Sequence, residues 1–446
     1  MKKIMIFMLL GLAVLSGRAY GDNGELNFSS NNPQNSLIAD CPDLLVSVLY
    51  EDLGARGYFY IRAYHDTTNS IKFDAPYPCR IKDMEYYGTY LYFCGDSPTG
   101  GIVGFFDVNQ AINSGHVDYS ICYIPSHPTL KTDITSANKL ALFEYTHGQQ
   151  TYIHVAFVGD MSLDNVPVGT TVGDAYFDGS LWTVEFDYNK GWEYDYKDIT
   201  TTESLVVSVG LYKETDQYFL KVWRKGTSFL LTVIPNNYAT IPVNGTILDH
   251  LLITRMNGDT LAVAYPYFKN PKYYIKMDVL EYSGQVNLVS SFRLGTTINP
   301  PLYSLSYDSV YKNIMFSFRM RLPQPSEPTL YMLGSVWNYL SPTSINIYHY
   351  LDNGPYHCVC GDGLGGYQSS GIYIDANNNP VFDMFYLSGI YINNCAWEGS
   401  LGVEYIDLSV NNSDRGTVRD KVTTTDKVML VTHQQSPLDP HCYNHH

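Results

Sequence analysis

Positive charge is scarce in this chain. Twenty-eight Lys and Arg residues stand against 44 Asp and Glu, a formal net charge of −16. A surface of that sign is repelled by phosphate backbones, which argues against nucleic acid and anionic membranes as partners. Long apolar runs are missing after the N-terminus, and none approaches the roughly 20 residues a membrane-spanning helix needs. Helical periodicity is scarce as well, with no segment holding it beyond about two turns. Short catalytic signatures are absent too: the chain has no G-x-S-x-G and no H-E-x-x-H. Gly95 and Gly100 have the spacing of a P-loop, but Gly101 stands where its lysine belongs. The following IVGFFDV alternates like a strand, so Gly100-Gly101 reads as a hairpin turn.

What is present begins with an address. The chain opens MKKIMIFMLLGLAVLSGRAYG, with Lys2 and Lys3 ahead of an apolar run from Ile4 to Leu15. Ala19 and Gly21 then put small residues at the −3 and −1 positions of a cleavage site. That is the pattern of a secretory signal peptide over residues 1–21, and the mature chain is expected to start near Asp22. Cleavage would remove Lys2, Lys3 and Arg18 and no acid, leaving 25 basic against 44 acidic residues. The expected location is the periplasm, the cell surface or the medium. Eight cysteines permit disulfides in such a place, and equally permit buried free thiols. Their pairing is not readable, because eight cysteines allow 105 connectivities.

Tyrosine, at 40 residues, is the compositional outlier, and aromatic residues favour pleated, half-buried surfaces. Strand–turn–strand units recur. LLVSVLY leads to YFYIRAY, and LYFCG leads through the double glycine to GGIVGFFDV. LALFEY turns into TYIHVAFV, VVSVGLY into QYFLKVW, and LLITRM through Asn257-Gly258 into DTLAVAY. LYSLSY turns into IMFSFRM, and GIYI into PVFDMFYL. The turns recur at about 54 residues, and further strand-like runs such as 181–188, 227–234 and 273–282 lie between them. Each unit thus holds about four strands, the content of one propeller blade. The expected fold is all-β: a β-propeller of seven blades, each of four antiparallel strands. Closing such sheets into a ring leaves only short exposed edges. The run KVMLVTH, 427–433, is expected to close the ring by completing the first blade.

The units IKDMEYYGTYLYFCG…GGIVGFFDV and GIYIDANNNPVFDMFY resemble blades of secreted bacterial β-propeller repeat proteins. The resemblance spans most of residues 40–410. It implies the fold and an exported location, and it carries over no functional residue. The expected organisation is a signal peptide at 1–21, an N-terminal linker at 22–39, the propeller at 40–433 and a flexible tail at 434–446.

Candidate chemistry is sparse. Asp375, Asn377 and Asn379 alternate like the start of a calcium loop, but Pro380 and Val381 replace its later ligands, which favours a polar turn. Asp160 and Asp164 in GDMSLDN offer a second, equally bland cation loop. Cys358 and Cys360 share one face of a strand, too few for a zinc site. The tail holds His441, Cys442, His445 and His446, a speculative soft-metal set more simply read as an incidental end. No cofactor is called for.

The segment DYNKGWEYDYKD is the most distinctive. Tyr188, Trp192, Tyr194 and Tyr196 alternate with acids that include Asp195. Rings that stack on sugars and carboxylates that bond hydroxyls would suit a glycan; the bland alternative is an outer strand packed on the next blade. The functional expectation is an exported, non-catalytic binding module for a glycan or a surface protein. The alternative is a polysaccharide hydrolase or lyase with carboxylates at the channel mouth.

Overall fold

The computed structural model describes residues between Asn35 and Asp420, with connecting segments such as 64–69, 188–193, 213–216 and 227–237 left out; beyond Phe316 it describes strand backbone alone. These residues form seven sheets in chain order. The first holds Asn35–Cys41, Val46–Asp52, Gly57–Ala63 and Ser70–Asp74. The second holds Arg80–Tyr87, Tyr90–Ser97, Gly100–Asp107 and Ser120–Tyr123. The third is built from the longer strands Asp133–His147, Gln150–Leu163 and Val166–Phe177, with Trp182–Phe186 outside them. Tyr194–Thr201, Leu205–Tyr212, Gln217–Arg224 and Tyr238–Pro242 make the fourth.

The fifth sheet has Leu252–Arg255, Thr260–Lys269, Lys272–Tyr282 and Val286–Thr296. A fragment, Thr246–Ile247, pairs on the same edge of Thr260–Lys269, so its first strand is broken in two. The break lies beside Pro266, which has no N–H to give across the ladder. The sixth sheet runs from Leu302–Asp308 to Asn346–Asp352, the seventh from Tyr356–Gly361 to Glu404–Ile406. All seven anticipated hairpins are present.

Within each sheet the strands are antiparallel neighbours in sequence order. The first strand of every sheet contacts the first strand of the next. At the end, Val418–Asp420 contacts the seventh sheet and pairs in parallel with Asn35–Cys41. The sheets therefore close on themselves around an axis, and the fold is a β-propeller. The closing strand is Val418–Asp420, and residues 427–433 lie outside the described residues. Pairing also begins at Asn35, inside the stretch expected to be linker. One short helix, Val108–Ser114, interrupts the second sheet, capped by Asp107 and by Gly115 in the left-handed region.

The core lies between sheets. Val48 and Phe59 of the first pack with Phe93 and Phe106 of the second. Cys94 and Val103 on the second sheet's other face meet Leu140 and Phe157 of the third. Phe143 and Val158 meet Phe219 and Trp223 of the fourth, and Val207 and Leu220 meet Val263 of the fifth. Alternation along each strand sends side chains to both neighbours, so one sheet serves two cores.

The strand at the axis has a ladder partner on one side only, so its free N–H groups need other acceptors. The preceding sheet supplies them. The Ile81 N–H donates to the Tyr50 hydroxyl at 3.2 Å. Leu140 and Leu142 donate to Asp83 and Glu85 at 2.9 and 3.1 Å. Tyr196 donates to Thr170 Oγ1 at 2.6 Å, and Ile253 to Asp198 at 3.0 Å. Asp83 and Asp198 both follow a bulged residue, Lys82 and Lys197, which re-aims the chain. The hairpin expected at Gly100-Gly101 turns instead at Pro98-Thr99, and the two glycines open the next strand opposite Ser97 and Asp96; Gly100 sits at φ 135°, and a Cβ there would lie 2.8 Å from the Ile134 carbonyl of the next sheet.

Asp83→Ala and Asp198→Ala should each lower stability by about 1–3 kcal/mol, by stranding an N–H of the next sheet. Urea unfolding of both single variants and the double checks this, with losses that add within about 0.5 kcal/mol because the sites lie in different sheets.

Candidate functional site

The aromatic–acidic segment connects the third sheet to the fourth. Tyr188 and Trp192 lie outside the described residues; Asp187 before them and Tyr194, Asp195 and Tyr196 after them are in place. Asp187 is a buried foot. Its carboxylate accepts from the Lys221 ammonium and, at 3.3 Å, from the Tyr196 hydroxyl. Its carbonyl accepts from His127 Nε2–H at 3.1 Å. The Nδ1 of His127 faces the Thr129 and Leu130 N–H groups at 3.3 and 3.2 Å, which fixes the neutral tautomer. Lys221 stands 5.2 Å from the Trp223 ring. Burial holds its pKa below the usual lysine value, against the pull of Asp187.

The second foot opens the axial strand of the fourth sheet. Tyr196 is 3 % exposed and packs on Phe219 at 5.1 Å. It is therefore no stacking platform: strand alternation turns it into the inter-sheet core, and the strand is the sheet's innermost rather than an outer one. Tyr194 is half-buried, 6.0 Å from Tyr196 and 5.1 Å from Phe219. Asp195 is half-buried and pairs with Lys197 at 3.0 Å. The structure thus gathers Tyr194, Asp195 and Tyr196 and commits Tyr196 to packing.

Lys82 mirrors Lys197. It pairs with Asp96 at 3.0 Å and donates to Asn138 of the third sheet at 3.0 Å. These lysines were not singled out from the sequence, although Lys82-Asp83 and Lys197-Asp198 are the same dipeptide in the same place. On the axial strands of the second, third and fourth sheets every acid is engaged. Beyond those named, Asp133 accepts from Ser126 at 2.7 Å and Glu144 is bonded to Tyr87.

The other candidates are placed as follows. Asp160 lies within a strand and Asp164 in a tight hairpin turn with Asn165, both at positive φ, so no open cation loop forms there. Among the described residues no group of three His, Cys, Asp or Glu could hold a metal. Cys79, Cys94 and Cys122 are buried and outside any disulfide. Cys94 and Cys122 flank Val103 across two ladders, about 10 Å apart and beyond disulfide reach. Cys358 and Cys360 share a described strand, with their side chains outside the description. Residues 375–379 and the tail with His441, Cys442, His445 and His446 lie outside the described residues. No described helix is long and apolar enough to cross a membrane.

No family model matches the chain, and neither does any curated protein. Solved structures do. The β-propeller domain of Cps50 (Swd1) from Myceliophteria thermophila is 10 % identical over 78 % of this chain and 96 % of that one, with a TM-score of 0.47. The WD40 domain of SCAP from fission yeast is 12 % identical over 81 % and 86 %, with a TM-score of 0.46. The β-propeller domain of the trilobed protease from Pyrococcus furiosus is 8 % identical over 70 % and 93 %, with a TM-score of 0.33.

Lys221→Met should destabilise the chain by about 3–5 kcal/mol, because it leaves the Asp187 charge buried without its cation. The double variant with Asp187→Leu should recover most of that loss. Unfolding midpoints of the two variants against the parent test it.

Proposed function

We propose that this chain is an exported, seven-bladed binding module without catalytic activity, and that it takes a glycan on the crossing between its third and fourth sheets. The supporting observation is the state of the axial acids. Glycosidase chemistry needs two carboxyl groups free to face a scissile bond, about 5–10 Å apart. On the described axial strands, Asp83, Glu85 and Asp198 are spent on N–H groups of the next sheet, and Asp195 on a lysine.

The crossing suits recognition. Asp187 and Tyr196 are anchored in the core, and the eight residues between them in the sequence include Tyr188 and Trp192. Half-buried Tyr194 and Asp195 continue the same aromatic and acidic alternation.

The mature protein on a glycan array, with reducing-sugar release followed in parallel, tests the reading. Binding without release is expected, and Tyr188→Ala with Trp192→Ala should weaken it at least about tenfold, or about 1.4 kcal/mol. Sugar release by the purified protein, abolished by changing axial acids, would establish the polysaccharide-cleaving alternative instead. Binding of a surface protein but of no glycan would overturn the ligand class.

A further inference from the structure

The face that the third sheet turns toward the fourth is largely apolar, with Ala141, Phe143, Ala156, Val158 and Val172 in the shared core. His154 and Asp174 sit in it at 1 % exposure each, with Nδ1 and Oδ2 hydrogen-bonded at 2.7 Å. The imidazole lies 4.8 Å from the Phe143 ring and 4.7 Å from the Tyr176 ring. The second oxygen of Asp174, Oδ1, is buried and has no partner. Directly across the ladder from Asp174 stands Glu185. Like charges in that position repel, and a buried carboxylate oxygen without a donor is costly.

The surrounding groups do not supply the missing donor. On the same sheet, Glu144 and Tyr145 lie on the first strand, Tyr152 on the second and Tyr176 on the third. From the fourth sheet, Tyr194 and Tyr196 face this layer from the axial strand. Lys221 on its third strand is taken by Asp187, and Lys225, just past that strand, is partly buried among Arg255, Asp259, Glu144 and Glu203. A proton on Asp174 would remove both the repulsion and the buried charge.

We propose that the His154–Asp174 pair is a proton-operated joint between the third and fourth sheets, closed when it holds its proton and loosened when it loses it. Burial, outweighing the hydrogen bond and charge of His154, pushes the Asp174 carboxyl from 3.8 up to about 6. The sign follows from linkage. A carboxyl that holds its proton more tightly folded than unfolded adds stability that is complete below the unfolded value and lost as pH rises through the folded one. The window is therefore 3.8 to about 6.

Urea unfolding of the full mature chain between about pH 4 and pH 7 tests this, for the parent, Asp174→Asn and Glu185→Gln. Across that window the parent's unfolding equilibrium constant should rise on the order of a hundredfold relative to Asp174→Asn. Glu185→Gln, which keeps the pair and removes the opposing charge, should show a shallower rise and serves if Asp174→Asn does not fold. Hydrogen exchange, corrected for its intrinsic pH dependence, should show amides at 196–209 opening with pH in the parent, less so in Glu185→Gln and not in Asp174→Asn. Parallel stability curves for all three chains, or pH-independent protection of those amides in the parent, would overturn the proposal.

Discussion

Everything in this ring turns on the free edge of the strand nearest the axis. Each sheet leaves one row of backbone N–H groups without a ladder partner, and a row of that kind invites either water or another strand. The chain fills it from the sheet before. Tyr50 serves the second sheet, Asp83 and Glu85 the third, Thr170 the fourth and Asp198 the fifth. All five contacts run in the same direction around the ring. They couple neighbouring sheets by hydrogen bonds at the axis, while the apolar clusters couple them by packing further out.

The same arrangement explains why the acids near the axis are structural. A carboxylate that accepts from a backbone N–H gains a charge-assisted bond and loses its freedom to act as acid or base. Asp83 and Asp198 can reach forward because a bulge precedes each, and the bulged lysine is turned toward its own partner, Asp96 or Asp195. Between the third and fourth sheets lie two buried polar pairs. There Lys221 and Asp187 satisfy each other, whereas Asp174 does not satisfy both of its oxygens. One interface thus contains both a fixed ion pair and an incompletely solvated carboxyl.

Much of the architecture was legible in the sequence because period-2 alternation and turn chemistry are local. The hairpin at Asn257-Gly258 stands where the residues put it, and the one beside Gly100-Gly101 turns two residues earlier, at Pro98-Thr99. The place of each hairpin within its sheet was not legible. LALFEY–TYIHVAFV joins first and second strands, whereas VVSVGLY–QYFLKVW joins second and third, and both read alike. The closing strand was missed because Val418–Asp420 is three residues long and pairs in parallel, with no turn to announce it. Tyr196 was misplaced because alternation gives the two faces of a strand without saying which one meets a neighbouring sheet. The Lys-Asp dipeptides were readable but unremarkable until their bulges coincided.

The amide exchange rates of Leu140 and Ile253 test the edge account most directly. If Asp83 and Asp198 cap the axial strands, both amides exchange as slowly as ladder amides in the same sheets. Each then speeds up selectively when its own acid is replaced by alanine, with the other unchanged. Rapid exchange at Leu140 and Ile253 in the parent chain, or exchange indifferent to those replacements, would contradict it.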